Sequence, residues 1–101
     1  MSAGISGLER WLQPYAAAAA TYAAQRGGRL TSTFRSRTEQ TALWHNRAHN
    51  PYPVAPPGRS YHEYGRAFDI TAPPHVLHAL GSWWRSLGGT WSPRDEIHFQ
   101  A

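Results

Sequence analysis

Prolines and glycines divide this chain into short segments and so limit the length of each helix and strand. Glycine pairs at 27–28 and 88–89 each follow a helical stretch, and glycine is favoured just past a helix C-terminus. The proline pair at 73–74 stands where a helix can begin. Segment 50–58, NPYPVAPPG, carries four prolines and is predicted to be an irregular surface loop.

The N-terminal part of the chain predicts a helical region in two pieces. Ser6 and Glu9 form an S-x-x-E pattern ahead of an apolar run, which is typical of a capping box. Pro14 can open a second helical piece, and alanines and tyrosines carry it to Arg26.

The remaining segments alternate between strand and helix patterns. Threonine-rich and apolar alternating runs predict strands, and longer runs with an apolar side predict helices. The predicted elements are strands at 30–34 and 65–70, helices at 38–49 and about 75–87, and short closing strands at TW and IHFQ. This order indicates an α+β fold, a small antiparallel sheet with flanking helices.

Length and composition restrict the kinds of site that the chain can build. With 101 residues it has enough chain for one modest core, and we expect residues 1–101 to form a single domain and a monomer. It has no cysteine, so any metal must be held by His, Asp or Glu.

Charge and hydropathy restrict the partners. The ten basic residues are all arginine and give a formal charge of +4, which suits an anionic partner such as a cell-wall polymer. The arginines are scattered, which disfavours a nucleic-acid interface. We expect no membrane-spanning segment, and MSAGISGLERW does not have the pattern of a signal peptide.

Two histidine pairs lack the features of a metal site. His45 and His49, in HNRAH, have the i, i+4 spacing of a helical zinc motif, but Asn46 stands where that motif requires glutamate. His75 and His78 have no third ligand near them in sequence. We interpret His45 and His49 as surface groups on an exposed helix face, and His75 and His78 as solvated or capping groups.

The stretch SYHEYGRAFDI, 60–70, is more informative. Gly65 allows a tight backbone path or the close approach of another group. In the strand that follows, Asp69 points to the face opposite Phe68 and Ile70. A buried carboxylate must be paired or ligated, and either an arginine salt bridge or convergence with His62 satisfies that requirement.

The C-terminal stretch DEIHFQ, 95–100, supplies a further histidine. Ile97 and Phe99 alternate with His98 and Gln100, so His98 lies on the polar face of a terminal strand. Two histidines and one carboxylate leave a fourth tetrahedral position open for water, which is typical of a catalytic zinc site.

These motifs resemble those of the D-alanyl-D-alanine carboxypeptidases and L-alanoyl-D-glutamate endopeptidases, a zinc peptidase family that includes VanY-type enzymes and many phage endolysins. SYHEYGRAFDI is similar to SxHxxGxAxD, DEIHF to (E/D)xxH(F), TSTFRSRTEQ to SGYRSxxxQ, and PVAPPGRSYH to the loop that enters the zinc motif. The resemblance covers residues 14–100. It departs at Thr33 and Phe34, where Gly and Tyr are usual, and at Asp95, where many members have Glu.

The resemblance implies a zinc peptidase of hedgehog/DD-peptidase-like fold that acts on peptidoglycan stem peptides with one zinc ion. The ligands would be His62, Asp69 and His98. Asp95 would be general base and acid, and Arg35 would stabilise the oxyanion. Supporting residues of the site would be Ser60 and Gln40.

The identity of the base depends on where the last strand begins. A regular strand would turn Glu96, two residues before His98, toward the site. The family pattern instead selects Asp95. Pro93 predicts a bend that leaves Asp95 on a turn, with the strand beginning at Glu96 or Ile97.

Several alternatives stay open on the sequence alone. The same fold can serve as a non-catalytic, zinc-containing module that binds the cell wall or forms part of a virion. The bond cut is either D-Ala–D-Ala, L-Ala–D-Glu or a cross-bridge. We expect a phage or prophage endolysin that is made in the cytoplasm without a signal peptide and reaches the wall after release by a holin. A bacterial cytoplasmic dipeptidase would have similar sequence features.

Overall fold

The computed structural model describes residues 4–101, so the first three residues of the segment considered for a signal peptide lie outside it. Three α-helices and a three-stranded sheet are joined by short 3-10 helices. The elements are α1 (Gln13–Ala24), β1 (Arg29–Ser32), α2 (Arg37–His45), β2 (Ala67–Thr71), α3 (Pro74–Ser86) and β3 (His98–Gln100). The predicted α+β class is confirmed. No helix between residues 4 and 101 is long and apolar enough to cross a membrane.

The predicted capping box at Ser6 and Glu9 is wrong. Ser6 lies inside a 3-10 helix, Ile5–Gly7, and α1 begins only at Gln13, without a side-chain cap. Leu8 is extended (φ −85°, ψ 156°), and the backbone N–H of Glu9 donates to the carbonyl of Gly65 at 2.9 Å, so a tertiary contact separates this 3-10 helix from α1.

Helix α2 is shorter than the predicted 38–49. Ser36 and Glu39 form a true capping box at its start. The helix ends at His45 because Asn46 leaves the helical conformation (φ −102°, ψ 17°), and a separate 3-10 helix, Arg47–His49, follows. His45 and His49 therefore do not share one helix face, and both are exposed.

The sheet is antiparallel with the order β1-β2-β3, so β2 is central. Asp69 on β2 pairs with Ser32 on one side and with His98 on the other. The register shifts between Leu30 and Ser32, as in a β-bulge. β1 ends at Ser32, two residues earlier than predicted, and β3 begins at His98 after a 3-10 helix, Pro93–Asp95.

The core lies between the sheet and the helices α1 and α3. Phe68 and Ile70 point into it from β2, as predicted, and Phe99 stacks on Phe68 with ring centroids 5.3 Å apart. Helix α3 packs closely against Trp91 at Gly81, where an added Cβ would clash with the Trp91 ring. The other buried side chains of this core are Leu8, Leu12, Ala16, Ala19, Ala23, Val76, Leu77, Leu80 and Trp84. Because this core takes one face of the sheet, Asp69 is left on the other.

Candidate active site

A capped 3-10 helix, Tyr61–Tyr64, presents His62. The Ser60 hydroxyl accepts a hydrogen bond from the His62 backbone N–H at 3.3 Å, and the Glu63 carboxylate accepts one from the Ser60 N–H at 3.1 Å. Gly65 ends this helix in the left-handed conformation (φ 67°), and a Cβ there would lie 3.0 Å from the Gly7 carbonyl. Both predicted roles of Gly65 are confirmed. The turn sends the chain back into β2 and so brings Asp69 toward His62.

The two histidines and Asp69 converge on one point. The Nε2 of His62 lies 3.0 Å from Oδ1 of Asp69, and the Nδ1 of His98 lies 3.1 Å from the same oxygen. One ligand atom from each residue lies within 4.8 Å of the others. His62 is buried, whereas Asp69 and His98 retain some exposure. Among the described residues this is the one such cluster of metal-ligating side chains.

Each histidine is also held through its second ring nitrogen. The Nδ1 of His62 lies 2.6 Å from the carbonyl oxygen of Thr33, and the Nε2 of His98 lies 2.7 Å from Oε1 of Gln100. The N–H of Arg35 donates in turn to the carbonyl of His62 at 3.0 Å. These contacts fix His62 and His98 with one nitrogen each facing Asp69.

The electrostatics of the cluster favour an ionised aspartate. Burial acts to raise the pKa of Asp69, but the hydrogen bonds and charges of His62 and His98 outweigh it and hold that pKa well below its usual range. Burial acts to lower the pKa of His98, and the hydrogen bond and charge of Asp69 together with Gln100 outweigh it, so that this pKa is raised. Asp69 therefore stays ionised and offers its carboxylate oxygens to a cation.

Arg35 lies between β1 and α2 with its guanidinium beside the cluster. It is buried, with Nη1 donating to Oε1 of Gln40 at 2.8 Å and Nη2 to the Ser32 hydroxyl at 3.2 Å. Nη2 is also 3.7 Å from Oδ2 of Asp69. Gln40 is fully buried, and its Nε2 donates to the carbonyl of Ala55 in the proline-rich loop at 2.7 Å. Gln40 thus ties Arg35 to the wall of the cleft.

Asp95 and Glu96 point in different directions. Asp95 lies at the end of the 3-10 helix Pro93–Asp95 and lines the cleft. Burial, with the charge of Asp69, raises its pKa against the opposing charges of His98 and His62. The Glu96 carboxylate lies 3.6 Å from Nε2 of His78 on α3, away from the cleft. The predicted bend is present, although β3 begins at His98, later than the predicted Glu96 or Ile97.

All seven predicted site residues open onto one cleft of about 500 Å³. They are Arg35, Gln40, Ser60, His62, Asp69, Asp95 and His98. The sequence did not reveal the Thr33 carbonyl, Ser32 or Gln100 as neighbours of the cluster. A backbone carbonyl leaves no signal in a sequence. The i, i+2 spacing of His98 and Gln100, in contrast, is a signal that the two side chains share one face of a strand.

Comparisons with known proteins show the family and the fold of the chain. The sequence profile of the family described as VanY, D-alanyl-D-alanine carboxypeptidase, matches residues 9–87, a range that contains Arg35, His62 and Asp69 and ends before Asp95 and His98. Among solved structures, the chain resembles a variant of the vancomycin-resistance D,D-pentapeptidase VanY from a VanB-type resistance cassette, crystallised in complex with Zn(II). The two share 19% identity with a TM-score of 0.63, over 92% of this chain and 71% of that one. No curated protein sequence gives a match.

Proposed function

This chain belongs to the VanY family of D-alanyl-D-alanine carboxypeptidases, and we propose that it is a zinc peptidase that hydrolyses an amide bond in peptidoglycan stem peptides. One observation carries the proposal. The His62–Asp69–His98 cluster, Asp95 and Arg35 all open onto the same cleft. A metal-binding set, a free carboxylate and a buried cation at one cleft are the parts that a hydrolytic site needs.

The cluster fits zinc in both chemistry and dimensions. Two imidazole nitrogens and a carboxylate oxygen are a catalytic zinc donor set, and tetrahedral bonds of about 2.0–2.2 Å place neighbouring donor atoms roughly 3.3–3.6 Å apart. In the structure the separations from Asp69 Oδ1 are 3.0 Å to His62 and 3.1 Å to His98, and the three ligand atoms all lie within 4.8 Å of one another. A zinc ion held there would supply a Lewis acid beside the scissile carbonyl.

The remaining steps belong to the side chains of the cleft. Asp95 takes a proton from the attacking water, because its raised pKa makes it a better proton acceptor than an ordinary aspartate. As water adds to the carbonyl carbon, Arg35 stabilises the charge that develops on the carbonyl oxygen. When the C–N bond breaks, Asp95 gives its proton to the leaving amine. The products are a new carboxylate and a free amine.

We assign the D-Ala–D-Ala bond as the substrate bond because it is the one that the family description specifies. Cleavage of L-Ala–D-Glu, as in the endopeptidases that the sequence also resembles, is the second candidate. That the protein is a phage lysis enzyme, and that it acts at the cell wall after release by a holin, stays our prediction. The filled positions of Asp95 and Arg35 favour catalysis over a wall-binding or virion module of the same fold.

Mass spectrometry of digested muropeptides tests the proposal. Incubation with pentapeptide muropeptides should remove one D-alanine and leave the tetrapeptide, and a chelator should prevent the loss. Release of fragments that begin with D-Glu would instead identify an L-Ala–D-Glu endopeptidase. Unchanged muropeptides in the presence of zinc, with the peptidoglycan retained by the protein in a pull-down assay, would support the non-catalytic module.

A further inference from the structure

Gln100 lies next to the candidate metal cluster without belonging to it. Its Oε1 is 2.7 Å from Nε2 of His98, on the side of the imidazole ring opposite Asp69. Strand alternation along β3 places His98 and Gln100 on the same face, while Phe99 between them is buried in the core. The contact therefore follows from the geometry of the strand.

The backbone of Gln100 is held on both sides. Its carbonyl accepts hydrogen bonds from the Trp84 indole at 2.9 Å and from the Thr90 N–H at 2.8 Å, and its own N–H donates to the Thr90 carbonyl at 3.2 Å. It also pairs with Ala67 of β2. The backbone of Gln100 is thus already ordered, and only the side-chain torsions remain to be fixed when its amide contacts His98.

The position of this amide bears on which nitrogen of His98 can bind a metal. A neutral imidazole has one N–H and one lone pair. When the proton is on Nε2, Gln100 Oε1 accepts its hydrogen bond and the lone pair of Nδ1 faces the cluster. When the proton is on Nδ1, it points at Asp69 and blocks ligation. The carboxylate of Asp69 attracts the proton toward that second tautomer, so a competing acceptor on the Nε2 side is needed.

We propose that Gln100 is a positioning residue that holds His98 in the tautomer able to ligate zinc through Nδ1. The proposal rests on the proposed zinc site and adds to it a residue that acts on zinc only through His98. Groups that hydrogen-bond a metal-ligating histidine typically change metal affinity by about 10–100-fold when they are removed.

The test compares three variants by zinc affinity. Gln100→Met keeps the side-chain length and removes the acceptor, and its zinc dissociation constant, from competition with a chromophoric chelator, should rise about 10–100-fold. Gln100→Glu can only accept, so it should bind zinc at least as tightly as the unmodified protein. Gln13→Met is the matched control, because Gln13 is a half-buried glutamine whose Nε2 donates to the Leu8 carbonyl far from the cleft. It should leave zinc affinity unchanged.

Two further readouts separate positioning from a general structural role. The metal-free Gln100→Met protein should melt as the Gln13→Met control does, and the visible spectrum of the cobalt-loaded protein should shift only in Gln100→Met. The proposal predicts a rise of about 10–100-fold in the zinc dissociation constant of Gln100→Met. A zinc affinity of this variant within about twofold of that of the unmodified protein would overturn it. So would an equal loss in Gln100→Glu. An unmodified protein that binds no zinc would overturn both proposals, whereas one that binds zinc without hydrolysing peptides overturns only the proposed function.

Discussion

His98 lies directly opposite Asp69 in the β2–β3 ladder, with its Nδ1 3.1 Å from the Asp69 Oδ1, although the two residues are 29 positions apart in sequence. The sheet register places the two residues opposite each other. A slip of one residue would turn one of the two side chains into the core, so the site and the core are specified together.

Removal of any residue of the cluster should remove the metal. We expect His62→Ala, Asp69→Ala and His98→Ala each to lose stoichiometric zinc and hydrolysis together, because each supplies one of three donor atoms. Elemental analysis after dialysis measures this. His45→Ala and His49→Ala are matched controls on an exposed surface, and both should keep zinc. A His62→Ala protein with one zinc per chain would mean that the ion is bound elsewhere.

Loss of Arg35 should lower turnover, while the protein should still bind zinc when zinc is supplied at a saturating concentration. We expect Arg35→Ala to reduce kcat by a factor on the order of a hundred or more, by analogy with loss of an oxyanion-hole donor. Arg35→Lys should rescue poorly, because lysine cannot make the separate Nη1 and Nη2 contacts to Gln40 and Ser32. Turnover close to that of the unmodified protein in Arg35→Ala would leave the arginine with a purely structural role.

Replacing Asp95 or Glu96 by its neutral amide should have sharply different effects on hydrolysis. Asp95→Asn should abolish hydrolysis with zinc still bound, since an amide cannot accept the proton from water. Glu96→Gln should retain most activity, because the Glu96 carboxylate lies beside His78 outside the cleft. Steady-state kinetics with zinc analysis decide between them. An active Asp95→Asn protein and an inactive Glu96→Gln protein, both holding zinc, would contradict the assignment.

Zinc affinity should fall as the pH falls. The raised pKa of His98 keeps its imidazole protonated to a higher pH than that of a free histidine, and zinc must displace that proton. The apparent zinc affinity should therefore rise by up to about tenfold for each pH unit until His98 is neutral, and then level off. Asp69, with its lowered pKa, stays ionised over this range and adds no proton. Chelator competition at several pH values measures the slope, and a flat profile between about pH 5.5 and 8 would contradict it.

Much of the architecture could be predicted because it depends on local signals. Pro14 near the start of α1 and the left-handed Gly27 and Gly88 after α1 and α3 act through their own backbone preferences. The alternation of Phe68, Asp69 and Ile70 likewise predicted which side chains of β2 face the core and which face the opposite side. These features need no knowledge of distant residues.

Other features required tertiary information. The pattern S-x-x-E occurs at Ser6, Ser36 and Ser60, yet only the last two form capping boxes. The segment at Ser6 is held instead by the Glu9–Gly65 hydrogen bond, a contact that a local pattern does not encode. The contact of His62 with the Thr33 carbonyl is of the same kind, because it joins parts of the chain 29 residues apart.

A zinc titration of the metal-free protein tests the central claim most directly. Zinc is added stepwise to chelator-treated protein, and D-alanine released from a peptide ending in D-Ala–D-Ala is measured at each step. We predict no release without zinc, a linear rise with added zinc and saturation at one equivalent, with no release at any step from Asp95→Asn. Release of D-alanine by the metal-free protein, or none at full zinc occupancy, would contradict the assignment of this cleft as a zinc carboxypeptidase site.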